Sequence, residues 1–152
     1  MAELWFYQLG ERELAQALHP LLERCLAKGW RALVRGTDPG RLEALDQALW
    51  SYAPESFLPH GLDRQDGQDD PARNPIWLSH QMANANGAEV VFLIDGALAP
   101  DQAHFQRVCE VFNGEDPLAL AQARAHWREG KSLGLALAYW REKQGIGWAK
   151  EA

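Results

Sequence analysis

The segment Ala125-His-Trp-Arg-Glu-Gly130-Lys131-Ser132 has the spacing of a permissive phosphate-binding loop. In such a loop the amides of a glycine-rich turn cradle a phosphate and a lysine reaches its outer oxygens. That chemistry needs a strand leading into an open turn and then a helix. Here the preceding residues have a helical pattern, and His126, Trp127, Arg128 and Glu129 are bulky residues suited to a helix that continues, so the spacing reads as coincidence. The glycine pattern that follows the first strand of a dinucleotide fold is also missing. Leu9-Gly10 leads into Glu11-Arg12-Glu13, whose side chains would sit where a pyrophosphate should lie. The five histidines (19, 60, 80, 104 and 126) show no metal-ligand spacing and no accompanying cysteine pair. Asp95 follows an apolar run at a place where α/β folds often keep a carboxylate, but a single acid there reads as a turn or helix cap. There is no G-x-S-x-G nucleophile elbow. The expectation is a protein with no catalytic residues, no metal and no cofactor, which works by binding.

The best binding feature lies in the same segment. On a helix, Arg124, Trp127, Arg128 and Lys131 fall within an arc of roughly 100°, with Lys131 just past the expected helix end at Gly130. Three cations around one indole suit an acidic peptide with an aromatic or apolar anchor; the bland alternative is a solvated charged face with the indole turned partly inward. Exposed ion pairs contribute only ~0.2–1 kcal/mol each, whereas burying one large apolar side chain contributes ~1.5–3 kcal/mol. A ligand with both an anchor and a carboxylate therefore fits better than charge alone. A second cluster, Trp50, Tyr52, Phe57 and Leu58, with Pro59 and His60, crowds the mouth of a loop, where aromatics must pack on the core or on a partner.

These residues must be positioned by alternating strands and helices. Leu4–Leu9 reads as a strand buried on both faces. Leu14, Leu18, Leu21, Leu22, Cys25 and Leu26 make a helical stripe, with Gly29 as its stop and Pro20 predicting a kink or break. Ala32-Leu33-Val34 is a second strand. Asp38-Pro39 caps a helix running to Trp50, and residues 51–75 read as a long surface loop with a short strand near Phe57. Ile76–Leu78 and Val90–Ile94 are further strands. Phe105, Val108, Cys109 and Phe112 predict an amphipathic helix stopped near Gly114, and Pro117–Glu129 another helix closed by Gly130. The alternation implies a Rossmann-like three-layer α/β/α fold with a mostly parallel sheet and no phosphate loop, in one domain over residues 1–152.

Composition agrees with a globular cytoplasmic protein: 47% hydrophobic and 24% charged residues, no run approaching the ~20 apolar residues of a membrane span, and no basic-then-apolar leader. Cys25 and Cys109 each sit in an apolar pattern and read as buried thiols. The net charge of −6 disfavours a protein whose main task is gripping nucleic acid phosphates. The charge is polarised, however: residues 53–116 carry three basic and eleven acidic side chains, and residues 117–152 carry six basic and three acidic.

Several strings together resemble the chi subunit family of bacterial DNA polymerase III. They are Phe6-Tyr7, DPGRLEALDQALW (38–50), SFLPHG (56–61), VVFLIDG (90–96), RVCEVFNGED (107–116) and ARAHWREGKSLGLALAYW (123–140), in the family's order and across almost the whole chain. The resemblance implies a non-catalytic accessory subunit on a Rossmann-like fold without a nucleotide site. It implies a bridge between the clamp-loader side of the replicase and single-stranded DNA-binding protein, whose acidic tail ends in a phenylalanine carboxylate. Arg124, Trp127 and Arg128 match the family's tail site, while a basic family position earlier in that helix falls on Ala119 or Leu120. The family's second partner, psi, is assigned to the segment holding Trp50, Phe57, Leu58, Pro59 and His60. Two rival readings are a nucleotide-dependent enzyme on the same sheet and a direct DNA-binding module built on residues 117–150.

Overall fold

The aromatic opening becomes strand β1 (Glu3–Leu9), with Phe6 buried toward one face of a sheet and Tyr7 toward the other. The computed structural model describes residues 2–52, 57–143 and 147–152. Its strands continue as β2 (Ala32–Arg35), β3 (Gly61–Leu62), β4 (Ile76–Ser79), β5 (Val90–Leu93), β6 (Arg107–Asn113), β7 (Leu137–Lys143) and β8 (Gly147–Lys150). The helices are α1 (Leu14–Ala27), α2 (Pro39–Trp50) and α3 (Pro117–Ser132). One sheet takes the order β3-β4-β2-β5-β6-β1-β7-β8, parallel throughout except for the antiparallel β7–β8 pair. Helices α1 and α2 cover one face and α3 the other, which is the Rossmann-like α/β/α arrangement expected.

Local chemistry sets most of the boundaries. Asp38 caps α2 through Oδ1, which accepts from the Gly40 amide at 2.9 Å, and Asp116 caps α3 by accepting from Leu118 and Ala119. Gly29, at φ +82°, follows α1 in the left-handed conformation that closes a helix. Of the kink or break expected at Pro20, the break is absent, and α1 runs unbroken from Leu14 to Ala27. Pro20 removes one backbone bond, but the buried stripe of Leu18, Leu21, Leu22 and Cys25 holds the helix on the sheet.

Three expectations are corrected. Residues 107–113 are a strand, not a helix. As β6 lies between β5 and β1, Cys109 and Val111 are buried in the α1 layer and Val108 and Phe112 in the α3 layer. A strand apolar on both faces loses its two-residue alternation, so the three-and-four spacing of Phe105, Val108, Cys109 and Phe112 mimics a helix. Phe57 lies outside any strand; the short strand of that region is Gly61–Leu62, and a 3-10 turn over Pro71–Arg73 adds order to the expected loop. Residues 53–56 of the loop, including Ser56 of the SFLPHG string, fall outside the described residues. Finally, α3 passes Gly130 to Ser132, and the basic tail beyond it forms β7 and β8.

Topology then places α3. Strands β6 and β7 lie on either side of β1, so the helix joining them crosses over β1. Its Trp127 ring meets Phe6 of β1 at 5.6 Å and Tyr139 of β7 at 6.0 Å. Among the described residues no helix is long and apolar enough to cross a membrane.

Candidate functional site

The groove beside α3 is built from two elements. Arg124, Trp127 and Arg128 are one turn apart on the helix and line a surface groove of about 460 Å³. Tyr139 and Arg141, two residues apart on β7, point to the same face of the sheet and form the facing wall. Gln8 closes the floor, with the Tyr139 hydroxyl donating to its Oε1. Burial raises the Tyr139 pKa, opposed by the cations Arg124 and Arg141, so the phenol stays protonated and serves as a donor. Residues 151–152 run alongside: the Glu151 amide donates to the Tyr139 carbonyl at 2.8 Å, and the Tyr139 amide to that of Ala152 at 3.1 Å.

Trp127 belongs both to the packing under α3 and to the lining of the groove. Its indole is half-buried, with aromatic contacts to Phe6 and Tyr139, yet it still lines the groove. Among the described residues no carboxylate lies within ion-pair distance of Arg124, Arg128 or Arg141, and the one acid in the lining, Glu151, sits 3.9 Å from Lys143. The groove thus offers three unpaired guanidinium groups beside an aromatic floor. Lys131 is exposed on the next turn and does not line it. Arg141 was not among the expected site residues. Its signal was the Tyr139–Arg141 alternation, which points to one face only once residues 137–143 are known to be a strand. Ala119 and Leu120 pack against the core under α3, and Arg141 brings the third cation from across the groove.

The second cluster divides. Trp50 is 44% and Phe57 75% exposed, their rings 5.8 Å apart, and Pro59 is partly exposed. Tyr52 lies nearby at 38% exposure, stacked on the buried His19 ring at 3.9 Å. Leu58 and His60 are buried, so neither offers a contact surface. His60 is instead structural. Its Nδ1 donates to the Leu58 carbonyl at 2.7 Å, its Nε2 lies 3.1 Å from Asp46 Oδ1, and its ring packs on Trp50 at 4.1 Å. Burial raises the Asp46 pKa, opposed by the neighbouring His60 and Arg64.

The remaining candidates also resolve into structure. Asp95 takes φ +52°, accepts a hydrogen bond at its carbonyl from Thr37 and pairs with Arg41 at 2.8 Å, as a turn residue. The crevice of about 400 Å³ at the carboxyl ends of β5 and β6, where doubly wound sheets hold nucleotides, is lined by Asp95, Glu110 and Asp116 against the single cation Arg41. His126 holds Glu110 at 2.7 Å, and the phosphate-loop spacing of residues 125–132 lies entirely within α3. Cys25 and Cys109 are buried free thiols, and burial pushes the Cys25 pKa up to about 11.

Two comparisons bear on this arrangement. The family model described as "DNA polymerase III chi subunit, HolC" matches residues 1–138. A "Probable DNA polymerase III subunit chi" from Rickettsia prowazekii (strain Madrid E) is 30% identical over 94 residues, which is 62% of this chain and 55% of that protein. The match thus covers about half the length of the relative.

Proposed function

The chain belongs to the DNA polymerase III chi subunit family, and on that premise we propose that it tethers the replicase by docking the acidic C-terminal tail of single-stranded DNA-binding protein in the α3 groove. The observation that carries this reading is the convergence of Arg124, Arg128 and Arg141 on the Trp127–Tyr139 floor. A tail rich in aspartate and ending in a phenylalanine carboxylate needs an apolar seat for its ring and guanidinium forks for its carboxylates. The groove supplies both. The chain itself has no role in bond making; its contribution is to hold the polymerase assembly near coated single strands.

Titration of a fluorescently labelled tail peptide, read by anisotropy, tests the proposal. We expect a Kd of about 1 µM, or ~−8 kcal/mol. Arg124→Ala and Arg128→Ala should each weaken binding by about tenfold with the melting temperature unchanged, since neither has an ion-pair partner among the described residues. Equal affinity in both variants would refute the docking site.

A clamp-loader-side partner, the psi subunit where one exists, is assigned to the exposed pair Trp50 and Phe57. What supports this is their exposure beside Tyr52, since three aromatics in one patch mark an interface more often than a solvated surface.

A further inference from the structure

A cleft of about 580 Å³ lies on the face opposite the α3 groove, between α1 and the strands β1, β6, β7 and β8. Its origin is topological. Strands β1 and β2 are separated in the sheet by β6 and β5. The helix that joins them must cross diagonally, so it packs toward β2 and α2 and leaves the β1–β7–β8 flank without a helix of its own. That flank is aromatic: Trp5, Trp140 and Trp148 project there, with Trp30 at the rim.

The polar lining has one sign. Arg12, Arg24, Lys28 and Arg107 face the cleft, and among the described residues no aspartate or glutamate lines it, in a chain whose net charge is −6. The cations are interleaved with the indoles. The Arg107 guanidinium lies 3.7 Å from the Trp5 ring centre and 5.0 Å from that of Trp30, and Lys28 Nζ lies 3.9 Å from Trp30. Arg12 is paired with Glu142 and Arg107 with Glu3, whereas Arg24 and Lys28, four residues apart at the end of α1, have no carboxylate partner among the described residues. The indole N–H of Trp140, at the wall, has no acceptor among the described residues either.

We infer that this cleft binds a nucleotide unit, with its base against the indoles and its phosphate at Arg24 and Lys28. Flat rings beside cations suit a heterocycle joined to an anion, since base–aromatic stacking contributes about 1–3 kcal/mol per base whatever its sequence. The volume lies in the range of small-ligand sites, roughly 300–1,000 Å³. An extended acidic peptide fits less well, because the four indoles that line the cleft suit a planar ring better than a peptide backbone. The site is distinct from the nucleotide crevice of doubly wound sheets, which here is acidic. It is also distinct from the α3 groove, with which it shares no lining residue.

The nucleotide could come from a free nucleoside phosphate or from a single-stranded end. Titrate the full chain with dTMP, ATP and a short oligothymidine, following tryptophan fluorescence and heat. Saturable quenching that Arg24→Glu/Lys28→Glu weakens by about tenfold or more, with an unchanged melting temperature and unchanged tail-peptide binding, supports the site. Lys28→Glu alone serves if the double variant melts early. Among positive results, tighter binding of the oligonucleotide than of dTMP identifies a strand end, and the reverse a free nucleotide. No saturation by any of the three probes, or binding indifferent to the charge reversals, overturns the inference. So does an acidic tail peptide that loses affinity in the Arg24/Lys28 variant, because the cleft would then be a peptide site.

Discussion

Arg35 shows how single residues hold the surface loops to the sheet. Its guanidinium is almost fully buried at the end of β2 and grips Asp101 with both forks, at 2.8 and 3.0 Å, while also donating to the carbonyls of Leu98 and Met82. These bonds hold the Asp101 carboxyl below its ordinary range. A carboxylate depressed in the folded state contributes stability that is present above its unfolded pKa of about 3.9. That contribution is lost as pH falls through the lower folded value. Asp101→Asn should therefore cost about 3 kcal/mol at pH 7, because Arg35 is left buried and unpaired. The gap to the parent protein should narrow as pH drops below about 4. Urea unfolding at pH 7 and pH 3 measures both, and a gap that stays constant with pH would remove the ion pair as its cause.

At the scale of elements, the seating of α3 decides the shape of the groove. Gly130 is buried where the helix crosses the sheet, and a Cβ built there would approach Leu4 Cδ2 at 2.9 Å and Leu137 Cδ2 at 3.0 Å. A larger side chain must push Leu4 and Leu137 aside or lift the helix from β1 and β7. Gly130→Leu should destabilise the fold by about 1–3 kcal/mol despite the better helix propensity of leucine, and should weaken the tail peptide by displacing Trp127 from Tyr139. Thermal melts and the anisotropy titration read the two effects. Full stability in this variant would mean that the helix end is looser than its packing implies. Much of this element was legible in the sequence: its start was read at Pro117, and the spacing of Arg124, Trp127 and Arg128 fixed their common face. Its end was not legible, because Gly130 reads as a helix stop when only local propensity is weighed. Here the missing side chain serves close helix–sheet contact instead.

For the whole molecule, the two proposed contacts sit on different layers. The α3 groove lies on one face of the sheet, and Trp50, at the end of α2, on the other. A bridge needs that separation, since both partners must be held together without competing. Trp50→Ser/Phe57→Ser should abolish capture of the psi partner while tail affinity stays unchanged, and Arg124→Ala/Arg128→Ala should do the reverse. Co-purification with psi alongside tail titration checks both arms. If either pair of substitutions disturbs both contacts, the bridging arrangement fails.

Whatever depends on neighbours along the chain was determined by the sequence alone: the alternation of strands and helices, the cap Asp38, the buried cysteines, and the cations around Trp127. Tertiary structure decided whatever depends on which distant elements meet. It turned residues 107–113 into a strand, because a position buried on both faces carries no alternation to read. It withdrew Leu58 and His60 into the core and left Trp50 and Phe57 outside. It brought Tyr139 and Arg141 to the α3 groove and opened the cleft beneath α1. Both follow from strand order, which is set by the packing of the whole sheet and is written in no local stretch of residues.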